Sequence, residues 1–237
     1  MCTDVQETGK PGSGVMDTVW QNLPVILTGL GLTIEYSIVA IVLMVVIGLI
    51  AALMRLSKVA PLRWIATAYV EIFRSTPLLV QLFFIVLGLP AILPVNEWFG
   101  QLTYPILAAA FTLSLNEGAY VTEIIRAGIL GVDRGQTEAA ESIGMTGIQT
   151  MRYIVLPQAF KRMIPPLVNQ AAQTIKDTSL LAPVGVAELV YQGEIVISAT
   201  FASFTIWGFV AILYFIIIFS VSKCASYLER RLQVDKR

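Results

Sequence analysis

Histidine is absent from this 237-residue sequence, and cysteine occurs only at Cys2 and Cys224, near opposite ends. Without histidine the commonest general base and metal ligand is gone, and two thiols so spaced define neither a metal site nor a disulfide framework. No nucleophile has a base beside it, which puts a membrane enzyme last among the function classes. Charge is scarce as well. Asp, Glu, Lys and Arg make up 14% of the chain, against about 25% in soluble domains. The sixteen basic and sixteen acidic residues cancel, so no global basic field points to nucleic acid. A nucleotide phosphate loop is also missing, because Gly9-Lys10 runs into Pro11 rather than Ser or Thr. The chain is therefore read as not an enzyme, with no cofactor of its own. The polar first fourteen residues lack a basic start followed by an apolar core, so they are read as a mobile tail rather than a cleavable signal.

What is present is apolar. Hydrophobic residues make up 56% of the chain and the mean hydropathy is +0.75, so the solvent it needs is lipid. About 20 consecutive apolar residues span the hydrocarbon core, and the sequence predicts an all-α membrane protein with about five such helices. They fall at residues 28–54, 75–95, 104–130, 164–187 and 204–222. Residues 62–73 form a surface helix or the lead into span two, and 188–200 a loop or surface helix. Gly48 and Ala52, four apart in span one, would let another helix approach closely. The domain reading is a polar tail and lead-in at 1–24, a membrane domain at 25–232 and a short tail at 233–237. Five spans put the two ends on opposite sides. Arg55, Lys58, Arg63, Arg134, Arg152, Lys161, Arg162 and a basic tail with Arg230, Arg231, Lys236 and Arg237 fall on one side. The other has Lys10 and the acids Asp4, Glu7, Asp17, Glu97, Glu188 and Glu194. The positive-inside rule then sets the N-terminus outside and the C-terminus in the cytoplasm.

A polar island at about 131–162 interrupts these runs on the cytoplasmic side. Its order is Glu138-Ala139-Ala140, three residues, Gly144, nine residues, Ile154, then Leu156-Pro157. Thr146 and Gln149 have capping-box spacing, so a helix starts near 145–147. Gly144 suits a left-handed turn between two short helices. Ala139 and Ala140 leave room for close packing, Glu138 is an acceptor, and Pro157 is expected to break the second helix before span four. The product is a compact elbow able to sit in a groove of another protein.

That spacing, in the loop before the penultimate span, resembles the signature loop of membrane-spanning subunits of bacterial ABC importers. Arg74-Ser75-Thr76-Pro77-Leu78 with Gln81, Ala119-Tyr120 with Glu123, Ile124 and Arg126, Gly135-Gln136, Leu156-Pro157-Gln158-Ala159 and Lys176-Asp177-Thr178-Ser179-Leu180 are similar to blocks of the polar amino-acid branch, the histidine/glutamine-type permeases. The likeness covers roughly residues 29–232. It implies a type I importer permease fold in a bacterial inner membrane, with two permease subunits, identical or related, forming the pathway. It also implies cytoplasmic ATPase subunits that carry ATP and Mg and receive the loop through Glu138, Ala139, Ala140, Gly144 and Pro157, and an external solute-binding protein. An ion-coupled secondary transporter is the rival class, disfavoured because no internal repeat is seen. A membrane scaffold would leave the polar span residues without a reason. An opine or sulfur amino acid remains open as the solute.

A free amino acid carries an ammonium and a carboxylate, and polar residues inside spans are functional by default. Asn169, Gln173 and Lys176 share one helical face, as do Asn116, Tyr120 and Glu123. With Glu117 one residue off, Asn116, Glu117, Tyr120, Asn169 and Gln173 are the candidate pathway residues, Glu117 meeting the ammonium or a cationic side chain. Glu123 and Arg126 are read as a structural pair, and Arg74 as snorkelling to the inner surface.

Overall fold

The computed structural model describes residues 15–232, and everything described is helix or connecting turn. The two tails at 1–14 and 233–237, with Cys2, Lys10, Lys236 and Arg237, lie outside the described residues. Helix α1, Val15–Leu56, begins earlier than the apolar run alone suggests. Residues 15–24 of the expected lead-in are helical because only Pro24 interrupts them, and its carbonyl is taken by the Thr28 hydroxyl at 2.9 Å.

Helix α2, Ala60–Ser75, and helix α3, Leu78–Leu82, replace the single span expected at 75–95. A π-helical turn, Phe83–Gly88, and a 3-10 turn, Leu89–Ala91, extend α3, and this run is bent by 108° from α2. The cause is local. A residue before proline is driven out of the helical region, and Thr76, ahead of Pro77, is extended at φ −118°, ψ 141°. Helix α4, Val95–Phe99, is a short cap on the connection to α5, Thr103–Leu130. Helices α6, Arg134–Ser142, and α7, Gly147–Thr150, build the elbow. A π turn, Met151–Val155, then leads into α8, Leu156–Asp177, and a 3-10 turn, Thr178–Val184. Helices α9, Leu189–Thr200, and α10, Ser203–Leu232, complete the chain.

Pro157 does not break the helix, contrary to expectation. A proline ring clashes with the carbonyl four residues back. Here the preceding turn is widened, and the Leu156 N–H bonds the Met151 carbonyl five residues away, so the helix runs on into α8.

Helix α5 is the axis of the fold. It packs along α1 and against α2, α3 and α8. Gly48 of α1 makes this possible: a Cβ there would sit 2.4 Å from Val121, and Ala52, one turn on, is fully buried. Burial by protein explains why α5 can carry Asn116, Glu117, Glu123 and Arg126. By length and composition two helices are able to cross a membrane, Asp17–Leu56 and Ser203–Cys224. Two bent pairs, α2 with Leu78–Ala91 and Gly147–Val184 with α9, qualify jointly. Helix α5 is not among them, because its polar side chains lower its hydropathy while neighbouring helices hide them.

Candidate functional site: a polar cavity and an elbow joined by one helix

A cavity of about 570 Å³ opens where the α2–α3 break meets α5 and α8. The break is held by side chains. Gln81 Nε2 donates to the carbonyls of Phe73 (3.0 Å) and Thr76 (3.1 Å), and Asn116 Nδ2 donates to Phe73 O and Gln81 Oε1, both at 3.0 Å. These bonds satisfy carbonyls that the end of a helix leaves open. They also consume both N–H groups of Asn116, which therefore faces the cavity with its amide donors already used.

Glu117 is 1% exposed yet contributes to the cavity wall. Its carboxylate accepts from Gln170 Nε2 and from the Thr174 hydroxyl, the latter at 3.2 Å. Asp177, on the next turn of α8 and also lining the cavity, brings a second carboxyl against it and is held by Gln173 Nε2 at 3.0 Å. Tyr120 lies on the same wall. Its ring carries the Arg74 guanidinium, whose carbon is 5.1 Å from the ring centroid.

The structure thus brings together Asn116, Glu117, Tyr120 and Gln173. It does not bring Asn169, which is exposed and outside the cavity lining; Gln170 takes that place. Both choices obey helical spacing. Gln170, Gln173, Thr174 and Asp177 form the face that α8 turns toward α5, and only packing decides between the two faces. Lys176 is likewise turned away, into a groove with Trp207 and Tyr214. Arg74 is exposed and stands at the cavity wall beside Tyr120. Glu123 pairs with Arg126 (2.9 Å), as its i,i+3 spacing predicts, and also bonds Arg55, which ties α5 to α1.

Glu188 is a second correction. Placed among the acids of the outer segments, in a loop or surface helix, it is fully buried. It caps α9 by accepting from the Tyr191 N–H at 2.9 Å, and it also accepts from the hydroxyls of Tyr214 (3.0 Å) and Thr33 (3.4 Å). No sequence signal separates it from a loop acid, because its partners are remote in sequence.

The elbow follows the local reading closely. Asp133 caps α6 by accepting from Gly135 N at 2.7 Å. Gly144 is left-handed at φ +82°. The bonds Gly144 N to Glu141 O (2.9 Å) and Met145 N to Ala140 O (3.1 Å) form the closing pattern that a left-handed residue after a helix permits. Thr146 and Gln149 make both arms of the capping box. Ala140 is buried, while Glu138, Ala139, Gly144 and Pro157 are exposed. Ile143 and Ile148, 79% and 83% exposed, put two branched apolar side chains at the elbow tip. Two isoleucines within so polar a stretch were the available signal for this surface.

The described residues thus form an apolar helical chain with a sharply bent helix pair, a polar cavity beside the bend and an apolar-tipped elbow, and comparison with known proteins shows which class shares this arrangement. Residues 44–234 match the family of binding-protein-dependent transport system inner membrane components, and the chain belongs to that family. It is 37% identical to the glutamine transport system permease protein GlnP of Escherichia coli over 91% of this chain and 96% of that protein. It is 41% identical to the L-cystine transport system permease protein TcyB of Bacillus subtilis over 95% and 92% of the two chains. Among solved structures, an amino acid ABC transporter crystallised with histidines superposes with a TM-score of 0.82 at 37% identity, covering 90% of this chain and 97% of that one. An inward-facing structure of the MetNI methionine ABC transporter shares the fold, with a TM-score of 0.65 at 18% identity over 94% of this chain and all of that one.

Proposed function

We propose that this chain is the permease subunit of an ATP-driven ABC importer for a polar amino acid. The observation that carries the reading is continuity. One run of helix, Gly147–Val184, starts in the elbow and reaches the cavity at Gln170, Gln173 and Asp177. A push on the elbow therefore acts on the same rigid element that walls the cavity, which is what a rigid-body switch between inward and outward openings requires. Relatives named for glutamine, cystine and glutamate/aspartate transport support the amino-acid class.

In this reading separate ATPase subunits receive Glu138, Ala139, Ala140, Gly144 and the isoleucine tip from the cytoplasm and carry ATP with its Mg ion. Pro157 stands where the elbow joins α8. A second permease subunit, identical or related, completes the pathway in the lipid of the inner membrane, and an external binding protein delivers the solute. The cavity selects a positive group, because two carboxyls that approach each other within a wall favour a cation between them. Asn116, Tyr120 and Gln173 complete the polar lining; Asn169 enters this reading only if the partner subunit covers it.

Gly144→Asp tests the coupling. A Cβ at this position meets nothing within 4 Å, but the left-handed φ of +82° strains any side chain there; Asp and Asn tolerate that region best after glycine, so Gly144→Asn carries the same strain without the charge and serves as the control for Gly144→Asp. Recovery of the ATPase with a tagged chain from gently solubilised membranes is expected to fall roughly tenfold or more, the usual scale for an unpaired charge at an interface. Recovery equal to wild type would remove the elbow from the coupling.

A further inference from the structure

Arg74 is the one basic residue among those lining the cavity. It sits in the last turn of α2, immediately before the break, where an arginine would ordinarily cap the helix carbonyls. That task is already done. Gln81 and Asn116 hold the Phe73 carbonyl, and Gln81 also holds that of Thr76. Among the described residues no carboxylate or carbonyl is paired with Arg74; the Tyr120 ring lies beside it, and the only other charge acting on it is the like charge of Arg55. Stacking uses the face of a guanidinium and none of its five N–H groups. The cavity wall therefore holds an exposed cation that lies against an aromatic ring and whose hydrogen-bond donors are unspent among the described residues.

The carboxyls of Glu117 and Asp177 belong to α5 and α8, while Arg74 enters from the α2–α3 break. The lining is thus dipolar, with acids from two helices and a forked donor from a third element. We infer that Arg74 is the solute-contacting residue that binds the α-carboxylate of a free amino acid, while Glu117 and Asp177 take its positively charged end. This rests on the amino-acid reading above and adds to it a chemical requirement: the solute must present an unblocked carboxylate. A planar carboxylate matches the guanidinium fork with two parallel N–H···O bonds. An α-amide offers one neutral acceptor and an NH₂ that repels the fork, and a decarboxylated amine offers nothing. Tyr120 acts as a positioning residue by holding the guanidinium in place.

The test is ligand binding to the purified permease–ATPase complex without a binding protein, so that selection by another chain does not enter. Calorimetric titration and ligand-induced thermal shift are run with the common proteinogenic amino acids and cystine. The amino acid that binds is then compared with its own α-amide. Wild type is expected to prefer the free acid by roughly tenfold or more, the range of a charge-assisted bond. Arg74→Gln should erase the preference by weakening the acid alone, and Arg74→Lys should keep part of it. Tyr120→Leu should reduce it, and Glu117→Gln should weaken acid and amide alike and leave their ratio unchanged. The ligand-free unfolding midpoint of each variant separates loss of the site from loss of the fold. A preference that survives in Arg74→Gln overturns the assignment while leaving amino-acid transport intact. A wild-type complex that binds neither form of any probe overturns the amino-acid reading itself.

Discussion

Two buried glutamates, Glu188 and Glu117, are almost equally hidden, at 0% and 1% exposure, and their surroundings differ. Glu188 is closed off by partners of its own chain: Thr33 from α1, Tyr214 from α10 and the α9 N–H it caps. Nothing is left for a solute. Glu117 has partners from one side only, Gln170 and Thr174, and faces Asp177 and open volume on the other. An acid inside a membrane domain is expensive, and the comparison shows two ways of meeting that cost. One is to spend the carboxylate's hydrogen bonds on holding α1, α9 and α10 together; the other is to set two carboxyls side by side at the edge of an open volume. Burial alone does not tell the two acids apart, whereas the census of partners does.

Substitutions should pull the two apart. Glu188→Ala carries the largest expected stability effect, about 3 kcal/mol from the lost cap and the stranded hydroxyls. It should appear as a lowered unfolding midpoint in detergent, with solute affinity retained by the protein that stays folded. Glu117→Gln should do the reverse. Affinity for cationic amino acids should drop roughly tenfold, more than for neutral ones. The midpoint should hold or rise, because the carboxyl facing Asp177 has been neutralised. Equal effects on cationic and neutral solutes would make Glu117 a structural residue like Glu188. The smallest effect should come from Thr146→Ala, which removes the capping box of α7 for about 1 kcal/mol. It should raise amide exchange in the elbow and leave the cavity's affinity unchanged, because only the first turn of the run that reaches the cavity frays; a change in affinity would mean that loss of the cap is felt along the whole run.

The elbow was legible in the sequence because its determinants are local. Gly144, Thr146 and Gln149 act within a few residues, and their turn and cap form as spacing dictates. The extent of α5 was legible from its apolar run, and the Gly48–Ala52 step from its small residues. The cavity was only partly legible. Choosing Gln170 over Asn169 requires knowing which face of α8 meets α5. Seeing Arg74 in the wall requires the 108° break, which a Thr-Pro step permits but whose direction it does not specify. Glu188 escaped because its partners lie 155 and 26 residues away. Long-range packing, not propensity, decided each of these.

The most direct measurement is uptake by proteoliposomes holding the permease–ATPase complex, with a radiolabelled amino acid and its binding protein outside and ATP sealed inside. The account predicts accumulation against a gradient that stops when ATP is omitted, continues when ionophores collapse every ion gradient, and is lost in Gly144→Asp. Uptake that persists without ATP and disappears with the ionophores would contradict it, and would make the cavity part of an ion-coupled carrier.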